Sequence, residues 1–461
     1  MNDELNREFL NSTVTYHSTN RKVSGAGFRE ALLQGLATDG GLFMPDRIPR
    51  LPATTLQDMG EMPYAQIAFE VLHTFLGEEL PVQVLKRICN SAYTFPVPLE
   101  KVTGNSYVMR LDQGPTASFK DFAARLMGQL MQYYLAEEDK NIVILTATSG
   151  DTGSAVANAF YGLGNIRVIV LFPVNEVTPM QRKQMTTLHR NIQVIAVDGK
   201  FDDCQAMVKQ AFADETLRHI PLSSANSINI GRLLPQSVFY FYAWAKLASE
   251  TSEKIIFSVP SGNFGDLMGG LIAREMGLPI EKFIIGTNEN NEVPEYLHTG
   301  EYRVLSPSRN CISSAMNVGH PSNMARIVSL YGGSMNEKGV ILAPPDFQRM
   351  QNDFYAVSIS DAETRDAIAH AYRDYNLLLE PHGAVAWESL QRYLRSRKDN
   401  QSLCVALETA HPAKFPTEIR EILGIEPQLP ESLAGLDNMT EDYLPLKNSY
   451  TAFREYLRNH Y

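Results

Sequence analysis

Arg110-Leu111-Asp112-Gln113-Gly114-Pro115-Thr116-Ala117-Ser118-Phe119-Lys120-Asp121-Phe122 sets one lysine between a turn-rich loop and an apolar helix. The helix follows from spacing. Phe119, Phe122, Ala123, Leu126, Met127, Leu130, Met131 and Tyr134 recur at three and four residues, which predicts a single buried face. Ser118 is expected to cap this helix, with Asp121 completing a capping-box-like pattern and placing negative charge in the first turn. Lys120 falls off the apolar stripe, just inside the helix start and beside free backbone N–H donors. A lysine placed there serves as a phosphate ligand or a Schiff-base nucleophile, because desolvation and nearby positive potential lower its pKa. For a lysine taken alone, a solvated surface role is the ordinary expectation. What flanks it reverses that expectation.

Outward from this stretch, short apolar runs alternate with amphipathic helices. Ser106 to Leu111, Ile142 to Thr146, Arg167 to Phe172, Ile192 to Val197, Lys254 to Val259 and Lys282 to Gly286 are each bounded by turn residues. The alternation predicts an α/β fold with parallel sheet covered on both faces, whose ligands lie at the carboxyl ends of the strands. Two strand ends open into glycine loops: Thr146-Ala147-Thr148-Ser149-Gly150-Asp151-Thr152-Gly153 and Val259-Pro260-Ser261-Gly262-Asn263-Phe264-Gly265-Asp266. Each leads into a helix, so free N–H groups and hydroxyls can converge on a carboxylate or phosphate. Neither carries the lysine of a nucleotide P-loop, and neither matches the G-x-G-x-x-G dinucleotide fingerprint. A third stretch, Ser223 to Arg232, places Asn226, Ser227 and Arg232 around another helix start, a further candidate anion site. Two anion loops and one lysine suit a ligand with a phosphate at one end and an aldehyde that condenses with an amine.

Bulk properties narrow the class. At 461 residues the chain exceeds one ordinary core. With 44% hydrophobic and 20% charged residues it reads as globular, and its net charge of −11 disfavours a broad nucleic-acid or anionic-membrane surface. Cys89, Cys204, Cys311 and Cys404 lie far apart, which argues against a disulfide framework or a zinc site and for a cytoplasmic setting; no metal is expected. The polar start, MNDELNREFLNSTVTYHSTN, has no apolar signal core. Helices are expected from Tyr64 to Phe75 and from Leu85 to Ala92 within a mixed introductory segment. Later come Leu379-Glu380-Pro381-His382-Gly383-Ala384 and Leu407-Glu408-Thr409-Ala410-His411-Pro412-Ala413-Lys414-Phe415. His382 and His411 are acid–base candidates, although loop histidines are more often structural. Beyond about residue 420 a closing helical tail is expected.

Five motifs in order, G-P-T-x-x-F-K-D-F at 114 to 122, T-A-T-S-G-D-T-G at 146 to 153, S-G-N-F-G at 261 to 265, E-P-H at 380 to 382 and T-A-H-P-A-K-F at 409 to 415, carry a resemblance over nearly the whole chain. The chain resembles the threonine synthase family, in its longer bacterial and fungal form, within the fold-type II pyridoxal-phosphate enzymes. That resemblance implies two open, mostly parallel twisted sheets covered by helices, with an N-terminal mixed segment over 1–100. It also implies a large cofactor domain from 101–135 and 233–420, a small mobile domain over 136–232, and the tail over 421–461. It implies pyridoxal 5′-phosphate as cofactor, with Lys120 as Schiff-base lysine, Gly262, Asn263, Phe264 and Gly265 on the cofactor phosphate, Thr409 facing the pyridine nitrogen and Asp151 near the ring hydroxyl. Thr148, Ser149, Gly150, Asp151 and Thr152 would close on the substrate carboxylate, and Asn226, Ser227 and Arg232 would receive the substrate phosphate. The implied reaction turns O-phospho-L-homoserine and water into L-threonine and phosphate, by a monomer or homodimer. One departure stands out: the family usually carries E-L-F-H before the glycine, where this chain has Arg110-Leu111-Asp112-Gln113. Two readings stay open beside the main one, a related lyase acting on another phosphorylated or phosphonate amino acid and a silent cofactor-binding regulatory homologue.

Overall fold

Two sheets are built from the apolar runs, and each run is long enough to be buried on both faces. A computed structural model describes residues 13–77, 79–397 and 401–461; the first twelve residues of the polar start lie outside the described residues. The strands that matter for the site are β1 (Leu99–Thr103), β2 (Ser106–Arg110), β3 (Ile142–Ala147), β4 (Ile166–Pro173), β5 (Ile192–Asp198), β6 (Leu222–Ser224), β7 (Ile255–Pro260), β8 (Ile280–Thr287), β9 (Phe354–Ser358), β10 (Leu403–Glu408) and β11 (Leu444–Lys447). The larger sheet runs β9-β8-β7-β10-β2-β1, parallel except for the antiparallel β1–β2 pair at its edge. The smaller runs β11-β5-β4-β3-β6 and is parallel throughout. β3, β7 and β10 are buried at every position, as a parallel sheet covered on both sides requires. The strand expectations fall on β2, β3, β4, β5, β7 and β8. Short two-stranded sheets at residues 16–18 with 43–45 and 334–335 with 341–343 add antiparallel trim.

Helices α1 (Lys120–Glu138), α2 (Asp151–Phe160), α3 (Pro179–Thr186), α4 (Ile230–Leu233), α5 (Gly265–Glu275), α6 (Met324–Leu330), α7 (Pro381–Ser396) and α8 (Tyr450–His460) frame the site and its supports. α1 buries Phe122, Leu126, Met127, Leu130, Met131 and Tyr134, the stripe expected from spacing. Phe122 packs its ring against Tyr64, Phe95 and Phe239, so the helical introductory segment (Tyr64–Leu76 and Val82–Ala92) shares one core with the lysine helix.

The start of α1 differs from expectation. Ser118 does not cap it: the helix begins at Lys120, and the Ser118 hydroxyl is buried without a partner among the described residues. The backbone around Ser118 is bridged to Ala410 instead, which fixes the residue in the loop. Asp121 turns back from the first turn and accepts from Thr116 N at 2.8 Å and Thr116 Oγ1 at 2.7 Å. The stretch beyond 420 is helical at α8 and also supplies β11, which hydrogen-bonds to β5 and extends the smaller sheet. Phe453 and Leu457 of α8 are fully buried in the core under that sheet. Truncating Phe453 to alanine would remove a core ring, with a cost of about 3–5 kcal/mol. Urea denaturation followed by hydrogen exchange on β5 and β4 should show an earlier loss of protection there than in β7 and β10.

Candidate functional site

Lys120 sits where the carboxyl end of β10 meets the loop from β2. The loop has no regular structure, and neighbouring backbone holds it. Leu111 N donates to Glu408 O (3.0 Å), Phe119 N to Thr409 O (2.9 Å) and His411 N to Ala117 O (3.1 Å). Ala117 adopts a left-handed φ of 53°, an unusual state for a residue with a Cβ, inside this stitched loop. A side chain at Gly114 would overlap the Asp121 carboxylate, which accounts for the glycine. Thr409 is buried at the strand end, opposite Phe119.

Three loops converge on the lysine. In the first, Asp151 begins α2 and is buried, with Oδ2 3.6 Å from Lys120 Nζ. Its Oδ1 pairs with Lys414 Nζ at 2.6 Å and accepts from Gln181 Nε2 at 2.8 Å. Gln181 is itself fixed by the capping box at the start of α3. Burial alone would raise the Asp151 carboxyl, but Lys414 and then Lys120 outweigh it and hold the group well below the carboxylate range. Thr148 turns inward, and its hydroxyl accepts from Gly150 N (2.9 Å) and Gly153 N (2.8 Å), shaping the loop. Gly150, at φ 134°, lies against Gln181, where a Cβ would overlap that side chain. Ser149 and Thr152 are half-buried.

In the second loop, Gly262 lies against the short helical turn Ser314–Met316: a Cβ there would meet Ala315 O at 2.7 Å. Phe264 is left-handed at φ 59° and precedes α5, eleven residues long. The amides of Asn263, Phe264 and Gly265 donate to no protein acceptor among the described residues, so the helix start presents bare N–H groups. Asp266, one residue on, is buried, and its carboxyl is pushed up to about 6 by that burial.

The third loop holds Asn226, Ser227 and Arg232. Arg232 is buried, donates from Nη1 to Ala225 O at 2.8 Å, and has no partner for Nε among the described residues. Among the described residues no carboxylate pairs with it, and burial brings its guanidinium down to about 10, still charged at neutral pH. Asn226 Oδ1 is also buried and has no partner among the described residues. This loop adjoins the second: a Gly265 Cβ would stand 3.8 Å from Ser227 Cβ, and Ser227 Oγ lies 3.3 Å from Ser322 Oγ, whose hydroxyl reaches Asn263 Oδ1 at 3.4 Å. Lys120 feels all of these groups. Burial lowers its pKa, Asp151 raises it, Lys414 and Arg232 lower it, Asp266 raises it, and the outcome is an amine below the ordinary lysine range. The structure therefore brings Lys120, Asp151, Gly262 to Gly265, Thr409, Asn226, Ser227 and Arg232 around one centre.

Sequence reasoning missed four contributors. Lys414, fully buried, lies inside the T-A-H-P-A-K-F motif, where nothing local gave it a role. Gln181 and Gln184 project from α3, Gln184 donating to Thr116 O at 3.0 Å, and nothing in an exposed-looking P-M-Q-R-K-Q-M-T run points to them. Arg326 is fully buried within M-A-R-I-V-S-L, a lone cation on an apolar helix, and that was its legible signal. It donates to Phe43 O, Ser227 O, Ile228 O and Asn323 Oδ1 at 2.6–3.2 Å and so clamps the third loop, while burial takes it down to about 9. Both histidines are held by local hydrogen bonds. His382 Nδ1 bonds Glu380 and its Nε2 accepts from Ala315 N at 3.0 Å; His411 Nδ1 accepts from Ala413 N at 3.1 Å. At the departure from the resembled pattern, Gln113 Nε2 donates to Asp112 Oδ1 at 2.7 Å, and Asp112 is pushed up to about 6 by burial.

Comparison with known proteins agrees along the chain. Residues 15–93 match the threonine synthase N terminus, residues 93–408 the pyridoxal-phosphate dependent enzyme family, and residues 383–457 the threonine synthase C-terminal family. The chain is 42% identical to the threonine synthase of Haemophilus influenzae over 93% of its own length and 96% of that protein's. Its fold superposes on the crystal structure of threonine synthase from Escherichia coli with a TM-score of 0.86 at 37% identity, covering 97% of this chain and all of that one. With the PLP-bound threonine synthase of Brucella melitensis the TM-score is 0.89 at 34% identity, covering 97% and 99%. No helix among the described residues is long and apolar enough to cross a membrane, and the described residues hold no cluster of metal-ligating side chains.

Two outcomes follow from the site's charges. Replacing Arg326 with leucine removes its donors from the carbonyls of Phe43, Ser227 and Ile228 and from Asn323 Oδ1 in a dry interior, Ser227 O keeping the Asn323 Nδ2 bond, with an expected loss above about 3 kcal/mol in urea denaturation. Burial holds the His411 imidazole down to about 4. The unfolded imidazole takes its proton near 6.5. Stability should then fall as pH drops from 6.5 toward 4, because the unfolded state binds the extra proton there. Asp112 and Asp266, raised to about 6, act in the opposite sense. The His411 contribution is therefore read as the difference between parent and His411→Asn: the stability of the parent relative to that variant should fall as pH drops through that window.

Proposed function

The chain belongs to the threonine synthase family and is a pyridoxal-phosphate-dependent lyase, and from that premise we propose that it converts O-phospho-L-homoserine and water into L-threonine and inorganic phosphate. The residues present fit the cofactor. The cradle at Gly262, which a Cβ would fill, and the bare amides from Asn263 to Gly265 suit its phosphate. Lys120 would hold the aldehyde carbon, Thr409 the ring nitrogen and Asp151 the neighbourhood of the ring hydroxyl. When bound, pyridoxal 5′-phosphate supplies an electron sink for negative charge that develops on substrate carbon.

The protein's own part is positioning and proton transfer. Arg232, charged and lacking a carboxylate, takes the substrate phosphate with Asn226 and Ser227 and holds it as it leaves. Ser149 to Thr152, at the start of α2, take the substrate carboxylate, with Thr148 shaping the loop from inside. Lys120 Nζ removes the proton at Cα, which leaves with the departing phosphate, then takes one from Cβ and delivers it to Cγ once the phosphate has gone. Water adds its hydroxyl at Cβ and yields its proton to Nζ, which returns it to Cα; an amine held below the ordinary lysine range is suited to that work near neutral pH. The small lobe around 136–232 closes over the substrate and excludes water until the phosphate has gone. The enzyme works in the cytoplasm as a monomer or homodimer on this small-molecule substrate, without nucleic acid or membrane.

One observation carries the reading: two anion sites, the α5 start and Arg232, which has no carboxylate partner among the described residues, adjoin each other beside the largely buried Lys120. Purified protein loaded with pyridoxal 5′-phosphate should release threonine and phosphate in equal amounts from O-phosphohomoserine; cofactor turnover without threonine would sink the proposal. Lys120→Ala should lose the visible cofactor band. Arg232→Ala should raise KM for the phosphorylated substrate by about ten- to a hundredfold, the worth of one charge-assisted contact. An unphosphorylated analogue should be far less affected, and equal effects on the two would remove Arg232 from the phosphate site.

A further inference from the structure

Asp151 is shared by two lysines, and the proposed chemistry employs one of them. Lys414 ends the short helix Pro412–Lys414 that follows Thr409, and its side chain is fully buried. Its ammonium pairs with Asp151 Oδ1 at 2.6 Å and donates to Thr116 O at 2.9 Å. Lys120 Nζ stands 3.6 Å from Asp151 Oδ2, outside hydrogen-bond reach. In a dry interior one carboxylate neutralises one ammonium well, and the geometry gives this one to Lys414. The contact also crosses the cleft. Lys414, Thr116 and Lys120 belong to the lobe of the larger sheet, whereas Asp151 and Gln181 come from helices on the smaller one.

We propose that Lys414 is a positioning residue: by claiming Asp151 from across the cleft it keeps that carboxylate from locking Lys120 in an ion pair, and so leaves the Lys120 amine free to exchange protons. The proposal rests on the proton-transfer role given to Lys120 above. The charged groups facing Lys120 are Asp151 from α2, Lys414, Arg232 from α4 and Asp266 from α5. Those facing Lys414 are Asp151, Lys120, Asp121 from α1, which is engaged by Thr116, and His411. Neutralising Lys414 acts on Lys120 twice in one direction. It removes a positive charge that disfavours the ammonium, and it frees Asp151 to stabilise it. Both raise the pH at which Lys120 gives up its proton.

The test is competitive labelling of the full-length, cofactor-free protein with acetic anhydride across pH, with Lys120 read by peptide mass spectrometry. In Lys414→Met and Lys414→Gln the half-labelling pH of Lys120 should rise by about one unit or more. Glutamine retains an N–H for Thr116 O and so guards against a folding defect. Lys414→Arg, which keeps the charge, should stay with the parent. The rising limb of the kcat–pH profile of the loaded enzyme should move upward in the same two neutral variants. A half-labelling pH that stays put or falls, in either neutral variant with the parent's melting temperature, overturns the proposal. Absence of threonine release by the parent would instead defeat the functional reading while leaving the labelling shift measurable.

Discussion

The structure depends on how an irregular loop is held against the end of a strand. The Lys120 loop reaches its position through three backbone bonds, which join Leu111, Ala117 and Phe119 to Glu408, His411 and Thr409, plus the Asp121 carboxylate that closes it on Thr116. β10 lies at the middle of the larger sheet, between β7 and β2, so these bonds tie the lysine to the most constrained strand of the fold. Each such bond is worth about 1 kcal/mol net. Their greater effect is geometric, because an amine that serves several proton transfers must be placed to a fraction of an ångström. Gly114 and the left-handed Ala117 are the local costs of that placement.

A second constraint is the handling of positive charge. Arg232, Arg326, Lys120 and Lys414 lie within or beneath the site, and Asp151 is the carboxylate in direct ion contact with that group. Leaving cations short of counterions in a low-dielectric interior costs several kcal/mol per charge unless hydrogen bonds compensate. Arg326 is compensated by carbonyls and an amide, as a structural cation is. Arg232 is compensated by one carbonyl among the described residues. The difference separates a residue that shapes the loop from one whose charge is reserved for an anionic ligand.

The chemistry-bearing loops were legible because glycine, serine and a charged residue crowded at the end of an apolar run make a poor continuation of the strand and a good anion cradle. Gly150 and Gly262 mark positions where backbone must twist or approach closely, and the strands before them are continuous apolar runs. The capping of α1 escapes local reading because Ser118 has the right side chain in the right place; only the bridge to Ala410, nearly three hundred residues away, decides otherwise. Lys414, Gln181 and Gln184 were silent for a similar reason. Their roles exist only across the cleft between lobes, and no local period or turn signal encodes a contact of that kind. β6, three residues long, and β11, which carries a proline, are likewise too short or too polar to declare themselves as strands.

Gln181 and Gln184 also link the site to the end of the chain. The inner side of α3 touches Asp151 and Thr116, while its other residues are gripped by the tail. Glu441 takes Arg182 in a two-point contact at 2.7 and 2.8 Å and accepts from Thr186 Oγ1, Asp442 N donates to Thr186 O, and Lys183 pairs with Asp437. Exposed ion pairs of this kind contribute little one at a time. Here they act with a hydrogen-bonded strand, because β11 caps the edge of the smaller sheet beside β5 and α8 packs beneath it. Any movement of the smaller sheet must therefore carry the tail with it. The tail in turn fixes the tilt of α3, and with it the direction from which Gln181 approaches the Asp151 carboxylate.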